Sequence, residues 1–216
     1  MNKASSPVKN KHQARTEATE AKVLAAAQAV FSELGFEKTQ LEEVAARAGY
    51  TRGAIYAHFA GKEDLFLALM ERRARSKLAA LRGRIENEPS AERRIELFGS
   101  WISSQVCDPA WATLTLEFKL YALRRPKSRE KLRSLYQLLF RSPGEDLIDL
   151  LFGRGLSRTA RAAVERRMAV MGAVLSAVVL ESHFRPELLP RNRLQSLLEE
   201  IFQPLLSACG PAAARR

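Results

Sequence analysis

The chain has 216 residues, 46% of them hydrophobic and 27% charged, which is enough apolar material for a folded core and excludes disorder throughout. Lysine and arginine (35) outnumber aspartate and glutamate (24) by 11, and the resulting pI near 10.1 indicates a polyanionic partner. Cys107 and Cys209 lie 102 positions apart (209 − 107), which excludes a disulfide framework, a zinc site with paired cysteines and a CxxC redox motif.

The first 18 residues predict a flexible basic tail, because they carry four cations, no apolar run and no acid before Glu17. The cations are Lys3, Lys9, Lys11 and Arg15. The longest nearly apolar stretch, Met168 to Leu180, is shorter than the ~20 residues that a membrane-spanning helix needs. These features predict a cytoplasmic protein with no membrane partner.

Apolar residues recur with a period near 3.6 and never alternate as in a strand, so the sequence predicts an all-α fold of about nine helices. The first four helices are predicted at 19–34, 40–48, 52–59 and 62–86, with Thr51 as the N-cap of the third. Gly35 ends the first as a left-handed cap, a capping box of Thr39 and Glu42 begins the second, and Gly49 stops it. Three short helices therefore precede a long one.

Five further helices are predicted at 91–106, 110–125, 128–152, 158–183 and 191–208. Pro143 is expected to kink or split the third of these, because proline removes a backbone hydrogen bond and clashes with the preceding turn. We predict four parts: the tail at 1–18, a domain of three short helices at 19–62, a larger helical domain at 63–210, and a disordered C-terminal tail at 211–216.

Residues 41–56 have the pattern of a helix-turn-helix. Leu41, Val44 and Ile55 are apolar at positions that face a core, and Gly49 permits the tight turn between the helices. Arg52 begins the second helix, where base edges are met, and an arginine there can make a bidentate contact with guanine worth about 1–3 kcal/mol of discrimination. The pattern predicts a double-stranded DNA operator as partner.

The segment VLAAAQAVFSELGFEKTQLEEVAARAGYTRGAIYAHFAGKEDLF, residues 23–66, resembles the TetR family of bacterial transcriptional regulators. Its TRGAIY motif is similar to the branch that contains repressors of multidrug efflux pumps. Tyr50 and Gln40 depart from the valine and the small hydroxyl residue that are usual in the family. The residues implied to contact phosphates are Thr39, Tyr56, His58 and Lys62, and those implied to face the major groove are Thr51, Arg52 and Ala54.

The helix-turn-helix region is not itself basic, since the five cations of residues 16–62 face six glutamates, a net charge of −1 (5 − 6). The tail and the cations of the fourth helix supply much of the excess, the latter as a solvated face or as ion-pair partners. His58 shares no ligand-like spacing with His12 or His183, so no metal site is predicted. Without GxSxG, HExxH or a phosphate-binding glycine loop, the sequence predicts no catalytic residue, no cofactor and no enzyme.

The resemblance implies that the C-terminal region binds a small inducer, and aromatic residues at helical spacing are placed to line its cavity or, alternatively, to fill the core. The predicted ligand-binding residues are Trp101, Gln105, Trp111, Glu117, Phe118, Tyr121 and Met171. Glu117 would contact a cationic ligand if buried and would be an ordinary surface carboxylate if exposed. Cys107 is predicted to be a buried, inert thiol rather than a redox sensor.

Residues 162–179 and 194–206 are apolar over more of the helix circumference than one monomer core requires, so these last two long helices are predicted to form a homodimer. A C2 dimer would place two recognition helices on a near-palindromic operator. The predicted function is a repressor that a small hydrophobic inducer releases. The alternatives are an activator or architectural protein without an inducer, or an all-α ligand carrier or enzyme.

Overall fold

The structure is a computed structural model that describes residues 11–140, 147–153 and 155–207. Its ten α-helices over these ranges are α1 (Lys11–Lys38), α2 (Leu41–Ala48), α3 (Arg52–Tyr56), α4 (Lys62–Ile85), α5 (Ala91–Ser104), α6 (Pro109–Leu123), α7 (Pro126–Phe140), α8 (Leu147–Phe152), α9 (Arg158–Glu181) and α10 (Leu194–Ser207). The described ranges contain no strand, which confirms the all-α prediction. The chain divides within α4 into two compact units, Met1–Met70 and Glu71–Arg216.

The core of the first unit is built around three mutually packed phenylalanines. Phe31 and Phe36 of α1 and Phe66 of α4 are fully buried, and their ring centroids lie 5.0 to 5.9 Å apart. Val44 of α2 and Ile55 of α3 are buried as well, so each short helix is anchored by an apolar side chain. Burial of these side chains holds α2 and α3, which are too short to be stable alone.

The first helix departs from its prediction at both ends. It begins at Lys11, so residues 11–18, which were expected in the flexible tail, are helical. Residues 13–18 include alanine and glutamate and no glycine or proline, so helix propensity outweighs the lack of an apolar period. Gly35 interrupts α1 with φ 77° and ψ 172°, a positive φ as expected but not the left-handed cap, and one more turn reaches Lys38. Residues 1–10 lie outside the described residues.

The cap of α2 lies one residue later than predicted. Gln40 is the N-cap, and its backbone N–H donates to Oε2 of Glu43 at 3.1 Å, so the pair is Gln40 and Glu43 rather than Thr39 and Glu42. The reason is that the Thr39 hydroxyl donates instead to the carbonyl of Gly35, at 2.7 Å. Gly49 adopts the left-handed conformation (φ 73°, ψ 31°) and ends α2 as predicted.

The second unit has one large apolar cluster formed by α4, α5, α8, α9 and α10. Its fully buried members include Phe98 of α5, Met171 of α9 and Phe202 of α10. Helix α10 packs closely on α5 because Gly99 lacks a side chain: a Cβ at this position would lie 3.0 Å from Cδ1 of Leu206. The cluster fixes which faces of α9 and α10 point inward.

The segment predicted as one helix at 128–152 is two, α7 and α8, which makes ten α-helices rather than nine over the described ranges. Residues 141–146 between them lie outside the described residues, and the predictions for Pro143, Cys209 and the tail at 211–216 fall outside as well. The predicted helices at 110–125 and 128–152 leave out Pro109 and Pro126, but each of these prolines occupies the first residue of a helix, where its missing N–H is not needed.

Candidate nucleic-acid interface

Helices α2 and α3 and the turn between them present a compact polar surface. Thr51, Arg52 and Tyr56 are exposed, the last by 46%, while Ile55 on the same short helix is fully buried. Ala54 is half-buried, so it leaves room beside the exposed side chains without adding bulk. The structure thus brings together the residues expected at base edges on one outward face of α3.

The start of α3 is fixed by its own residues. Thr51 has an extended backbone (φ −85°, ψ 158°), and its Oγ1 accepts from the backbone N–H of Ala54 at 3.3 Å, which is an N-cap bond. The turn before it is closed by the backbone N–H of Tyr50, which donates to the Ala45 carbonyl at 2.9 Å. The Thr51 hydroxyl therefore already has one partner, and it retains its own proton for a base or a phosphate.

Arg52 is held by two neighbours. Its Nη1 forms an ion pair with Oε1 of Glu42 on α2, and its Nη2 donates to the hydroxyl of Tyr56 at 3.1 Å. The guanidinium carbon also lies 5.3 Å from the centroid of the Tyr56 ring. The Tyr56 hydroxyl, then the Glu42 carboxylate, raise the pKa of Arg52, so the group stays charged. Sequence reasoning missed Glu42 because nothing local signals a contact across the turn between two helices.

Thr39 does not have the position expected of a phosphate ligand. Its side chain is fully buried, and its hydroxyl holds the junction of α1 and α2 by donating to Gly35. The expected phosphate contact of this side chain is therefore corrected to a structural hydrogen bond. The sequence could not separate the two roles, because a small hydroxyl residue suits both.

Lys62, at the first residue of α4, is turned toward the end of α1. Its ammonium donates to the carbonyl of Glu37 at 2.7 Å and lies 5.1 Å from the centroid of the Phe36 ring. Burial lowers the pKa of Lys62, against a smaller opposing effect of Glu37. An ammonium has three donors, so Lys62 can keep this contact and still reach a phosphate. His58 is half-buried, with its ring centroid 6.2 Å from that of Phe59.

An ion pair on the other side of α2 ties it to α1. Arg47 in the last turn of α2 pairs with Glu33, and both side chains are about half exposed (45% and 54%). The hydrogen bond from Arg47 lowers the pKa of Glu33. This pair resembles that of Arg52 and Glu42 in exposure, but neither of its residues belongs to the predicted DNA-binding set.

The residues predicted to bind a ligand do not form one group in the structure. Trp101 packs against the large cluster that contains Met171, and its ring lies 5.8 Å from that of Phe98. Phe118 is fully buried and stacks on Tyr121 at 6.0 Å. Glu117 is half-buried and has a partner. The core-filling alternative therefore describes Phe118 and Met171, both of which are 0% exposed.

The other two predicted ligand residues belong to a polar junction of α4 with the start of α6. Trp111 lies under Arg73, with 4.6 Å between the guanidinium carbon and the ring centroid. Arg73 also pairs with Asp108, the N-cap of α6. The Nε2 of Gln105 donates to the Trp101 carbonyl at 2.8 Å, and its Oε1 accepts from Lys77. Arg73 is thus an ion-pair and stacking partner. An ion-pair role, rather than a solvated face, is one of the two alternatives predicted for the cations of α4.

Cys107 corrects its prediction, because it is exposed rather than buried. It lies at the end of the short 3₁₀ helix Gln105–Cys107, and its Sγ is 3.6 Å from Oε1 of Gln195. A surface depression lies elsewhere in the same unit and is lined by the segment before α10 and its first turns, including Leu188, Leu194 and Leu197. None of the predicted ligand residues lines that depression.

Neither a metal-binding cluster nor a membrane-spanning helix is found in the described ranges. They contain no group of three or more histidine, cysteine, aspartate or glutamate residues that could hold a metal ion. Among the helices of the same ranges, none is both long enough and apolar enough to cross a membrane.

Comparison with known proteins relates the helix-turn-helix of α2 and α3 to a protein family. Residues 23–69 match the model of "Bacterial regulatory proteins, tetR family". The repressor BepR of Brucella suis is 48% identical over 50 residues, which are 23% of this chain and 24% of BepR. The activator FasR of Mycolicibacterium smegmatis is 31% identical over 84 residues, 37% of this chain and 38% of FasR.

The family model matches only part of the first unit, whereas the similarity in fold extends over most of the chain. The chain spans 21% to 58% of the lengths of the curated relatives it matches. The regulator FadR of Bacillus subtilis, solved in complex with stearoyl-CoA, covers 87% of this chain and 97% of its own, with a TM-score of 0.58 and 22% identity. The helix-turn-helix and the family match agree, so residues 23–69 form a domain of the TetR family of bacterial transcriptional regulators, and the all-α fold of the chain is similar to that of FadR.

Proposed function

We propose that this regulator binds a near-palindromic DNA operator as a homodimer and acts as a repressor that a small hydrophobic inducer releases. The observation that carries the proposal is the face of α3, where Thr51, Arg52 and Tyr56 are exposed beside a tightly capped helix start. An arginine at this position can bind O6 and N7 of guanine together, which supplies base discrimination. Thr51 and Ala54 would set which neighbouring base fits.

Phosphate contacts would fix the position of the helix on the duplex. We assign them to Tyr56, His58 and Lys62, which flank the base-reading residues at the end of α3 and the start of α4. The Tyr56 hydroxyl accepts from Arg52 and retains its own proton, which it can donate to a phosphate. Thr39 is omitted, because its hydroxyl is buried and already bonded.

The proposed dimer uses an apolar stripe on α9. Its members lie opposite the buried face of this helix and are exposed, with Val170 at 50% and Leu180 at 43%. The stripe is Ala169, Val170, Ala173, Ala177 and Leu180. Small residues at intervals of four let two helices approach closely, which favours a second copy of α9 as the partner surface. On α10, Leu197 and the exposed Ile201 extend the surface.

A two-fold dimer explains how one short helix can select an operator. Each protomer would present α3 to one half-site, and the two half-sites would be related by the same axis as the protomers. Binding of both halves makes the second contact intramolecular, which raises affinity about 10²–10⁴-fold over one half alone. An operator of two inverted half-sites is therefore expected.

The second unit is the proposed inducer-binding region. FadR of Bacillus subtilis, which shares its fold, binds stearoyl-CoA, a ligand with a long apolar chain. In this chain the candidates are Trp101, Trp111, Glu117 and Tyr121, each of them half-buried, whereas Phe118 and Met171 are fully packed and would need to move. A ligand that displaced α6 would also displace Arg73 of α4, because Arg73 pairs with Asp108 and stacks on Trp111. Coupling of about 1–3 kcal/mol by such a route is typical.

Activation instead of repression is the second candidate. The helix-turn-helix is similar both to BepR, a repressor, and to FasR, an activator, so this unit does not determine the sign of regulation. The position of the operator relative to the promoter would decide it. Placing the operator upstream of a reporter gene and then over its promoter distinguishes the two.

Fluorescence anisotropy on labelled duplexes tests the DNA-binding function. Duplexes selected by the protein from a randomised library should share one inverted repeat, and Arg52→Ala should weaken binding to it by about 1–3 kcal/mol while relaxing the base preference at one position in each half. Arg75→Ala is the matched control, since Arg75 is a half-exposed arginine of α4 paired with Glu71. Selection of no common sequence, or equal losses for both variants, would refute the proposal.

A further inference from the structure

The ion pair between Arg52 and Glu42 joins the base-reading helix to the helix before it. Glu42 is the second residue of α2, and its carboxylate meets Nη1 of Arg52 across the turn. We infer that Glu42 is a specificity-determining residue that acts through Arg52: it lets the guanidinium donate to a neutral base edge and keeps phosphates away from it. This inference rests on the proposed DNA-binding function.

The pair contributes little to the folding of the unit. Both side chains are more than half exposed, at 57% for Arg52 and 52% for Glu42, and exposed ion pairs are weakened by solvent and salt. The apolar anchors of the two helices, Val44 and Ile55, are fully buried and hold α2 and α3 without it. The ion pair of Arg52 and Glu42 therefore affects DNA binding more than folding.

The contacts leave Arg52 able to read a base. A guanidinium has five N–H donors, and the described contacts of Arg52 occupy one on Nη1 and one on Nη2. Three donors remain for O6 and N7 of guanine while Glu42 and Tyr56 keep the group in place. The side chain thus meets the major groove with much of its rotamer freedom already lost.

The same contacts disfavour phosphates. A guanine edge carries no net charge, so the neighbouring carboxylate tolerates it, whereas a phosphate brought to the free donors would lie close to a like charge. On DNA that presents no guanine to Arg52, this side chain can gain only phosphate contacts, and Glu42 offsets that gain. Glu42 therefore lowers non-specific binding more than operator binding, which raises the ratio of the two.

Glu42→Gln tests this inference, because glutamine keeps the shape and a hydrogen bond but not the charge. The probes are the duplex that the wild-type chain enriches from a randomised library and, as non-specific DNA without guanine O6 and N7, poly(dA–dT). We expect binding of poly(dA–dT) to tighten about tenfold at low salt, and its log–log salt dependence to steepen by about 0.9, the value of one added phosphate contact. Binding of the enriched duplex should change less than about threefold, so the specificity ratio falls.

Two controls distinguish this role from a general effect of charge. Glu33→Gln removes a carboxylate of similar exposure from the pair with Arg47 and should leave the ratio unchanged. In an Arg52→Ala background, Glu42→Gln should no longer steepen the salt dependence, because the cation that it releases is gone. Glu42→Ala repeats the measurement if the glutamine variant does not fold.

The outcomes separate the inference from the function on which it rests. Failure of the wild-type chain to enrich any sequence refutes the DNA-reading function and the inference together. Enrichment of a sequence, followed by an unchanged specificity ratio in Glu42→Gln, refutes the inference alone. An equal effect of Glu42→Gln with and without Arg52 also refutes it, since Glu42 would then act only as a surface charge.

Discussion

The two units of the chain differ in where their functional side chains lie. In the first unit the residues proposed to read DNA project from a five-residue helix whose start and anchor are fixed by Thr51 and Ile55. In the second unit the candidate ligand residues are partly or fully used for packing, and Phe118 is wholly buried. The proposed DNA-reading surface is rigid, whereas the proposed ligand site is built from packed side chains. These arrangements suit opposite tasks, because ligand binding must change the packing of the second unit and base recognition must leave α3 unchanged.

The largest effect is expected at the proposed dimer surface of the second unit, because dimerisation would let the first units of two chains bind one operator together. Ala177→Glu places a carboxylate in the middle of the apolar stripe of α9, close to its copy in the partner. We expect a monomer that binds the selected duplex about 10²–10⁴-fold more weakly, because avidity is lost. Sedimentation velocity and anisotropy measure the two effects.

Ala110→Glu is the matched control for that variant, since Ala110 is an exposed alanine near the start of α6 and outside the stripe. It should remain dimeric and keep its affinity. If Ala177→Glu sediments as the wild-type chain does, the dimer surface lies elsewhere.

Truncation of one aromatic side chain in each unit compares the two cores. Phe66 is fully buried and contacts Phe31 and Phe36 edge-on, so Phe66→Ala should lower the free energy of unfolding by about 3–5 kcal/mol. Tyr121 is half-buried between Phe118 and Arg125, and Tyr121→Ala should cost less than about 2 kcal/mol. Urea titration followed by circular dichroism measures both, and equal losses would mean that Tyr121 is core rather than a candidate ligand contact.

The turn of the helix-turn-helix gives a smaller effect with opposite signs at two glycines. Gly49 has φ 73° and open space around its Cα, so Gly49→Ala should cost about 1–2 kcal/mol of stability from backbone strain alone. Gly53 lies inside α3, and a Cβ there would meet only Oγ1 of Thr51 at 3.8 Å. Gly53→Ala should therefore stabilise the unit by about 0.5–1 kcal/mol. Thermal melting measures the pair, and the same sign for both would contradict the described turn.

The sequence predicted features that depend on neighbouring residues better than features that depend on packing between helices. The end of α2 at Gly49 and the N-cap of α3 at Thr51 were predicted correctly, because a helix stop and an N-cap depend on a few neighbours along the chain. The predicted start of α1 was wrong, because the polar residues before Thr19 predicted disorder although this segment contains good helix formers. The exposure of Cys107 and the ion pair of Arg52 with Glu42 depend on how helices pack, and the sequence pattern carries no signal for either.

The same distinction explains the uneven outcome for the predicted ligand residues. Spacing correctly placed Phe118 and Tyr121 on one face of α6, where they stack. It could not tell a cavity wall from a packed core, because both require large apolar side chains at helical intervals. Only the three-dimensional packing shows that Phe118 is fully buried in the core and that Tyr121 is half-buried.

The smallest expected effect concerns a lysine in the second unit. Lys119 of α6 is half-buried, and its ammonium donates to Oγ of Ser176 on α9 at 3.3 Å. Burial lowers the pKa of Lys119 below the usual value near 10.5. The folded chain therefore binds fewer protons than the unfolded chain between the lowered pKa and the usual one, so the contribution of Lys119 to stability rises with pH across that window.

Lys119→Met removes this dependence and keeps the length of the side chain. At neutral pH the charged lysine is disfavoured by burial, so the methionine variant should be more stable, by less than about 1 kcal/mol because the site is still partly solvated. The difference should shrink as pH rises toward 10.5, where the wild-type lysine loses its charge. Urea unfolding at several pH values measures it. A wild-type chain that is more stable than the variant at neutral pH would mean that the hydrogen bond to Ser176 outweighs the cost of burial, and that a cation at the contact of α6 and α9 stabilises the second unit.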